Sequence, residues 1–256
     1  MADNDRKPSI LVTNDDGINA EGIRILAEHA KKFGNVTVLA PAEQCSGMSV
    51  KLTIHQPMEF RECPDFPVEG VKAYSLKGTP ADCAKLAIRN IMPEKPDYIF
   101  SGINFGLNAG FDCMYSGTVG AIMEALTFGV KGIAFSTGFP ESTSWDSKAN
   151  YEVFEKYADE LIEELMHKEI EPSAFWNVNF PGCPLSEFRG ILRGRKLSQV
   201  RPYDDTLQKD ILPDGTATYT LIGNLISGNT APEGTDIHAV LNGHISIGKV
   251  FNAFIE

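Results

Sequence analysis

The sequence predicts an α/β fold with a mainly parallel sheet, and three observations carry that prediction. "SILVT" (9–13) and "NVTVLAP" (35–41) are short, β-rich apolar runs separated by a stretch of helical periodicity. Strand, helix and strand within about thirty residues make a βαβ unit, which requires parallel pairing and a right-handed crossover. The same alternation recurs down the chain as far as "FWNVNFPG". Finally, polar clusters rich in Asp, Asn, Ser and Gly stand directly after the apolar runs, where loops of a parallel sheet carry function.

Taken in order, the first helix is expected from Asn19 to Phe33, because Ile23, Leu26, Ala27, Ala30 and Phe33 recur at helical spacing. Asn19 is its predicted cap, Glu21 suits the first-turn dipole and Gly34 stops it. Residues 51–78 alternate apolar and polar positions between Pro and Gly, and read as irregular β structure inserted in the frame. "TPADCAKLAIRN" is a helix with Thr79 as cap, Pro80 at the first helical position and Asp82 in the first turn. "DYIFSGIN" is a third core strand. "SGTVGAIMEALTFG" is a helix capped by Ser116, with Val119, Ile122, Met123 and Leu126 facing inward, and "VKGIAFST" is a fourth strand. A long helix is expected from Ser147 to His167, with Tyr151, Phe154, Leu161 and Leu165 inside. Beyond Gly190 the helical signal disappears. There "TLQKDILPDGTATYTLIG" reads as two strands turning at Pro213-Asp214-Gly215. Such a hairpin either packs on another subunit or faces solvent. The whole chain, 1–256, is read as a single domain with 195–235 as a protruding β arm.

Composition narrows the partners. A chain of 256 residues with 43% hydrophobic and 22% charged residues is an ordinary globule. No apolar run is long enough for a bilayer, and "MADNDRKPSI" lacks the apolar core of a secretory signal, so a cytoplasmic protein is expected. The net charge of −11 argues against duplex nucleic acid and anionic membranes. Five scattered cysteines with no C-x-x-C fit neither a disulfide framework nor a zinc site.

The chemistry concentrates in four clusters: Asn14-Asp15-Asp16-Gly17, "APAEQCSGMS", "SGINFGLNAG" and "YSGTVG". One Asp at a strand end is usually a solvated loop residue. Two in a tight turn between buried elements suit a hard cation such as Mg²⁺ or Mn²⁺. Glycines let backbone approach a ligand, and the hydroxyls and amides of "YSGTVG" at a helix N-terminus suit an anion. Together the clusters favour metal-assisted phosphate chemistry. No P-loop, G-x-G-x-x-G or G-x-S-x-G motif is present, and none of the five histidines lies in the four clusters. His29 and His167 are expected on helices, partly exposed.

These clusters, in this order, resemble the SurE family of metal-dependent nucleotidases. The matching stretches are "ILVTNDDGINAEGI", "VTVLAPAEQCSGMSVKLTI", "GTPADC", "PDYIFSGINFGLNAG", "YSGTVGAIMEAL" and "WNVNFP", with a weaker match at "GTDIHAVLNGHISI". The resemblance implies a Rossmann-like three-layer core with an extended arm and a C-terminal segment, and a homodimer or homotetramer joined through that arm. It implies hydrolysis of nucleoside 5′- and 3′-monophosphates as small-molecule phosphomonoester substrates. The implied ligands of one divalent ion (Mg or Mn) are Asp15, Asp16, Ser46 and Asn104, with Asp15 and Asp16 also catalytic. The phosphate-facing residues are Asn108, Ser116, Gly117 and Thr118. Cys45 stands where family members commonly carry a basic or other polar residue, and "SIGKVFNAFIE" replaces the usual C-terminal ending. The alternatives are a sugar-phosphate or polyphosphate hydrolase using the same site, and a non-catalytic nucleotide-binding module.

Overall fold

The computed structural model describes residues 6–138, 149–201, 203–225 and 230–255. Its core is a nine-stranded sheet in the order β3-β4-β2-β1-β5-β6-β7-β11-β8. The strands are β1 (Ser9–Thr13), β2 (Asn35–Pro41), β3 (Phe60–Glu62), β4 (Lys72–Leu76), β5 (Tyr98–Phe105), β6 (Lys131–Thr137), β7 (Ala174–Phe180), β8 (Gly190–Arg195) and β11 (His244–Phe251). From β4 to β7 every pairing is parallel. Chain order reverses between β1 and β5, the switch point at which open α/β sheets bind ligands.

The helices are α1 (Glu21–Ala30), α2 (Pro80–Leu86), α3 (Gly117–Leu126), α4 (Glu152–His167) and α5 (Asp236–Leu241). The strand pleat divides the core between two faces. Val12, Phe100 and Ile133 pack toward α1 and α4, while Leu11, Ile99 and Ala134 pack toward α2 and α3. The result is three layers. An edge-to-face series Phe100–Phe135–Phe154, with centroids 5.9 and 5.7 Å apart, locks α4 on its face and ends on Phe180. Gly34 is required by close approach rather than by conformation, because a Cβ there would lie 2.3 Å from the Pro8 carbonyl oxygen.

Several elements depart from the sequence reading. Helix α1 begins after Ala20, not Asn19, and has no side-chain cap. Its last predicted turn, through Phe33, is a non-helical turn. His29 is buried rather than partly exposed, and its Nδ1 lies 2.6 Å from Asp159 on α4. Helix α4 starts at Glu152; residues 147 and 148 of the predicted helix lie outside the described residues. The expectation of no helix beyond Gly190 is corrected by α5, a six-residue turn of helix too short to show periodicity. Its Asp236 accepts the N–H groups of Gly110 and Ser198, both at 2.8 Å. The C-terminal β11 closes the sheet between β7, antiparallel, and β8, parallel.

The hairpin arm is β9 (Tyr203–Ile211) paired antiparallel with β10 (Ala217–Leu225) in a sheet of its own. Gly215 takes φ +86° in the turn, and Leu212 N–H bonds Thr216 O at 2.8 Å. Leu207, Ile211, Tyr219 and Leu221 are exposed along it.

Helix α2 anchors the long insertion before it. Asp82 accepts Thr79 N–H at 2.9 Å in a capping box, and also Thr53 N–H at 2.9 Å and the Thr53 hydroxyl at 2.7 Å. Asp82→Ala is expected to cost about 1–3 kcal/mol, with the melting temperature falling roughly 2–4 °C per kcal/mol in a chain of this size. An unchanged melting curve would show that the cap and its bonds to Thr53 carry no stability.

Candidate active site

Four loops meet at the β1–β5 switch point. The first is a turn closed by its own residues. Asn14 Nδ2 donates to Gly17 O at 2.9 Å, and Gly17 N–H donates to Asn14 Oδ1 at 3.1 Å. Gly17 sits at φ +98°, a conformation that L side chains rarely adopt. Asn14 is therefore spent on holding the turn, which presents Asp15 and Asp16.

Asp15 is buried and has a built socket. The Thr118 hydroxyl donates to Asp15 Oδ1 at 2.6 Å. The backbone amides of Gly117 and Thr118, at the start of α3, lie near the carboxylate and favour its charged form. Only glycine fits at 117, because a Cβ would lie 2.9 Å from Asp15 Cβ. The free amides at the start of α3 are a natural anion site, and the Asp15 carboxylate lies beside them. Burial nevertheless pushes the Asp15 carboxyl above its ordinary range, against that stabilisation. Asp16 is less buried, and Oδ2 accepts Phe105 N–H at 3.1 Å. Burial first, and the Asp15 charge second, push it up to about 7. Among the described residues, no positive side chain contributes to either group.

The second loop is tied to the first by Cys45 N–H on Asp15 O at 2.7 Å. Ser46 is exposed on it, accepting from Gln44 Nε2 at 3.0 Å. Its far end is pinned at Ser49, whose N–H bonds Tyr115 O at 2.9 Å and whose hydroxyl bonds Met114 O at 2.8 Å. Gly120 accommodates this approach, since a Cβ there would meet Ser49 O at 2.0 Å.

The third loop leaves β5 through a bulge. Ser101 pairs with Ala134 but Asn104 pairs with Ser136, so β5 carries one extra residue. Bulges re-aim side chains beside active sites. Asn104 Nδ2 donates to Gly106 O at 2.7 Å, which leaves its carbonyl oxygen as the acceptor available to a ligand. Asn108 is buried in a network that the sequence reading missed. Its Nδ2 donates to Ser136 Oγ at 3.0 Å, its N–H to Asn179 Oδ1 at 3.0 Å, and its carbonyl accepts from Asn177 and Asn179 at 2.8 and 3.1 Å. The signal was legible in "WNVNF", which puts two asparagines two apart on one face of a buried strand. On the fourth loop, Ser116 Oγ caps α3 by accepting Val119 N–H at 3.1 Å, so its hydroxyl hydrogen remains to donate.

The Thr118 hydroxyl is bonded to Asp15, while Ser116 and Asn108 each keep a donor in hand. Among the described residues, no site gathers three or more His, Cys, Asp or Glu side chains. The candidate ligand set is two carboxylates with two neutral oxygens.

Against known proteins, the family model for survival protein SurE matches residues 10–201. The chain is 38% identical over 243 residues to "5'-nucleotidase SurE" of Thermoanaerobacter pseudethanolicus, covering 94% of this chain and 91% of that protein. It is 37% identical over 247 residues to the protein of the same name from Caldanaerobacter subterraneus subsp. tengcongensis, covering 95% and 91%. The crystal structure of the SurE protein from Aquifex aeolicus superposes with a TM-score of 0.77 at 34% identity, covering 95% of this chain and 93% of that one. A doubly wound sheet with this likeness places the chain among phosphomonoester hydrolases. Within them it belongs to the survival protein SurE family.

Two predictions follow from the socket. Thr118→Val leaves Asp15 without its hydroxyl donor, and activity should fall about tenfold or more while Thr118→Ser restores most of it, since buried bonds to charged groups contribute about 1.5–3 kcal/mol. Equal activity in Thr118→Val and wild type would show that the bond does not hold the carboxylate. In chelated protein, Asp16 binds its proton more tightly folded than unfolded. Its contribution to stability is full below the ordinary carboxylate pKa and is lost as pH rises through about 7. Melting temperature in EDTA should therefore drop between pH 4 and 7, and Asp16→Asn should flatten that drop. Identical slopes in both proteins would contradict it.

Proposed function

We propose that this chain hydrolyses nucleoside 5′-monophosphates, and 3′-monophosphates as well, to nucleoside and phosphate with the help of one divalent cation, Mg²⁺ or Mn²⁺. The observation that carries the reading is the pair of adjacent, desolvated carboxylates at the switch point, with no cationic side chain among the described residues acting on them. The donor set fits the ion: two carboxylates (Asp15, Asp16), a hydroxyl (Ser46) and an amide carbonyl (Asn104) are hard oxygen ligands. When bound there, a divalent ion supplies charge neutralisation, polarisation of a phosphoryl oxygen and a lowered pKa for a bound water.

The chain's own residues do the rest. The Thr118 hydroxyl fixes Asp15 in one orientation, beside the first amides of α3. The Phe105 amide holds Oδ2 of Asp16 and leaves Oδ1 to orient an attacking water or accept its proton. The Ser116 hydroxyl and the remaining Asn108 amide hydrogen donate to phosphate oxygens as charge builds on them. The names of the relatives, 5'-nucleotidase, support a nucleoside monophosphate over a sugar phosphate or polyphosphate. The exposed Leu207, Ile211, Tyr219 and Leu221 of the β9–β10 arm support its use, within 195–235, as the contact between copies in a homodimer or homotetramer. Among the described residues no helix is long and apolar enough to cross a membrane, which accords with a cytoplasmic setting.

Purified protein should release phosphate from a nucleoside 5′-monophosphate in Mg²⁺ or Mn²⁺, lose that release in EDTA, and regain it when the ion is returned. Asp15→Asn and Asp16→Asn should each lower turnover by orders of magnitude with the fold intact by circular dichroism. Activity that survives thorough chelation would remove the cation from the reaction.

A further inference from the structure

The segment just before α3 puts large side chains in solvent at the edge of the site. Phe111, Met114 and Tyr115 are 38%, 62% and 48% exposed. Among them, Tyr115 directly precedes Ser116, the predicted phosphate donor, and its backbone carbonyl holds the Ser46 loop through Ser49 N–H at 2.9 Å. Arg201, at the root of the arm, adjoins this group. Its guanidinium carbon lies 5.9 Å from the Phe111 ring centroid, and it pairs with Asp205 at 3.3 Å. Two exposed rings leave apolar area in water at the edge of a polar site. Their place beside the phosphate site explains them if a flat apolar group of the substrate covers them.

We propose that Tyr115, with Phe111 and Arg201, forms the subsite for the nucleobase of the substrate. The inference rests on the nucleoside monophosphate reading above and adds the residues that recognise the base. A phosphate held by Ser116 and Asn108 puts the ribose next to residue 115, and the base then lies within reach of its ring. Aromatic side chains and arginine planes both stack on nucleobases, and such stacking is tolerant of which base is present. The guanidinium, beside the Phe111 ring and paired with Asp205, offers its remaining N–H groups to base-edge acceptors. Recognition of this kind favours any base-bearing monophosphate over the same sugar phosphate without a base.

The test compares a nucleoside 5′-monophosphate with ribose 5-phosphate, which share the same scissile ester and differ only in the base. Wild type is expected to prefer the nucleotide. In Tyr115→Ala the ratio of kcat/KM values, nucleotide over ribose 5-phosphate, should fall about tenfold or more, mainly through KM. Phe111→Ala should lower it in the same direction, and Tyr115→Phe, which keeps the ring, should hold it near wild type. Equal losses on both substrates in Tyr115→Ala and Phe111→Ala would overturn the subsite and mark the rings as structural, or as a contact between copies if sedimentation changes with them. Wild type that cleaves both substrates equally well also overturns the subsite, while the phosphomonoesterase reading stands. Wild type that releases phosphate from neither overturns the reading beneath it, and the subsite with it.

Discussion

The socket of Asp15 organises this protein. A carboxylate with no cationic side chain acting on it among the described residues is held inside the molecule by the Thr118 hydroxyl, beside the first amides of α3. Removing a charge from water is costly, and the dipole and donors at the helix start offset part of that cost. The remainder is visible as carboxyl groups pushed above their ordinary range, in both Asp15 and Asp16. The surrounding structure serves this arrangement. Asn14 and Gly17 spend their polar groups on the turn, Gly117 gives up its side chain so the helix can approach, and Cys45 fixes the next loop to the backbone of Asp15.

The doubly wound topology explains why four loops separated by a hundred residues converge. β1 and β5 are neighbours from which the chain departs in opposite directions, leaving a crevice between their ends. Asp15 and Asp16 leave β1, and Asn104 leaves β5 through a one-residue bulge. The site's parts differ in rigidity. Asp15, Asn108 and Ser116 are buried and bonded, whereas Ser46 is exposed and is followed by Gly47 at φ +71° with open space around it. The loop of Ser46 is tied to its surroundings at Cys45 and Ser49. A ligand that needs one adaptable oxygen has it there.

What was legible in the sequence was whatever depends on near neighbours. The βαβ start, the Ser116 cap, the Thr79 capping box and the turn at Gly215 all rest on contacts a few residues apart, and the side-chain types announce them. The Asp15–Thr118 bond joins residues 103 apart, so nothing local in "YSGTVG" announced that its threonine hydroxyl is bonded to an internal carboxylate. The asparagines of β7 show part of the same limit: "WNVNF" puts both on one face of the strand, but which loop they meet depends on a distant register. Helix α5 spans only six residues, and α1 begins one residue beyond its apparent cap because the Asn14–Gly17 turn fixes where the chain can enter it. Motif order succeeded where periodicity could not, because the clusters mark strand ends whatever lies between them.

The most direct measurement is anomalous diffraction from crystals grown with manganese. One peak within bonding distance of Asp15, Asp16, Ser46 and Asn104 is expected, absent from crystals of the Asp15→Asn protein. A map with no peak between the two carboxylates, or with the ion bound elsewhere, would contradict the claim that this buried pair exists to hold a divalent cation.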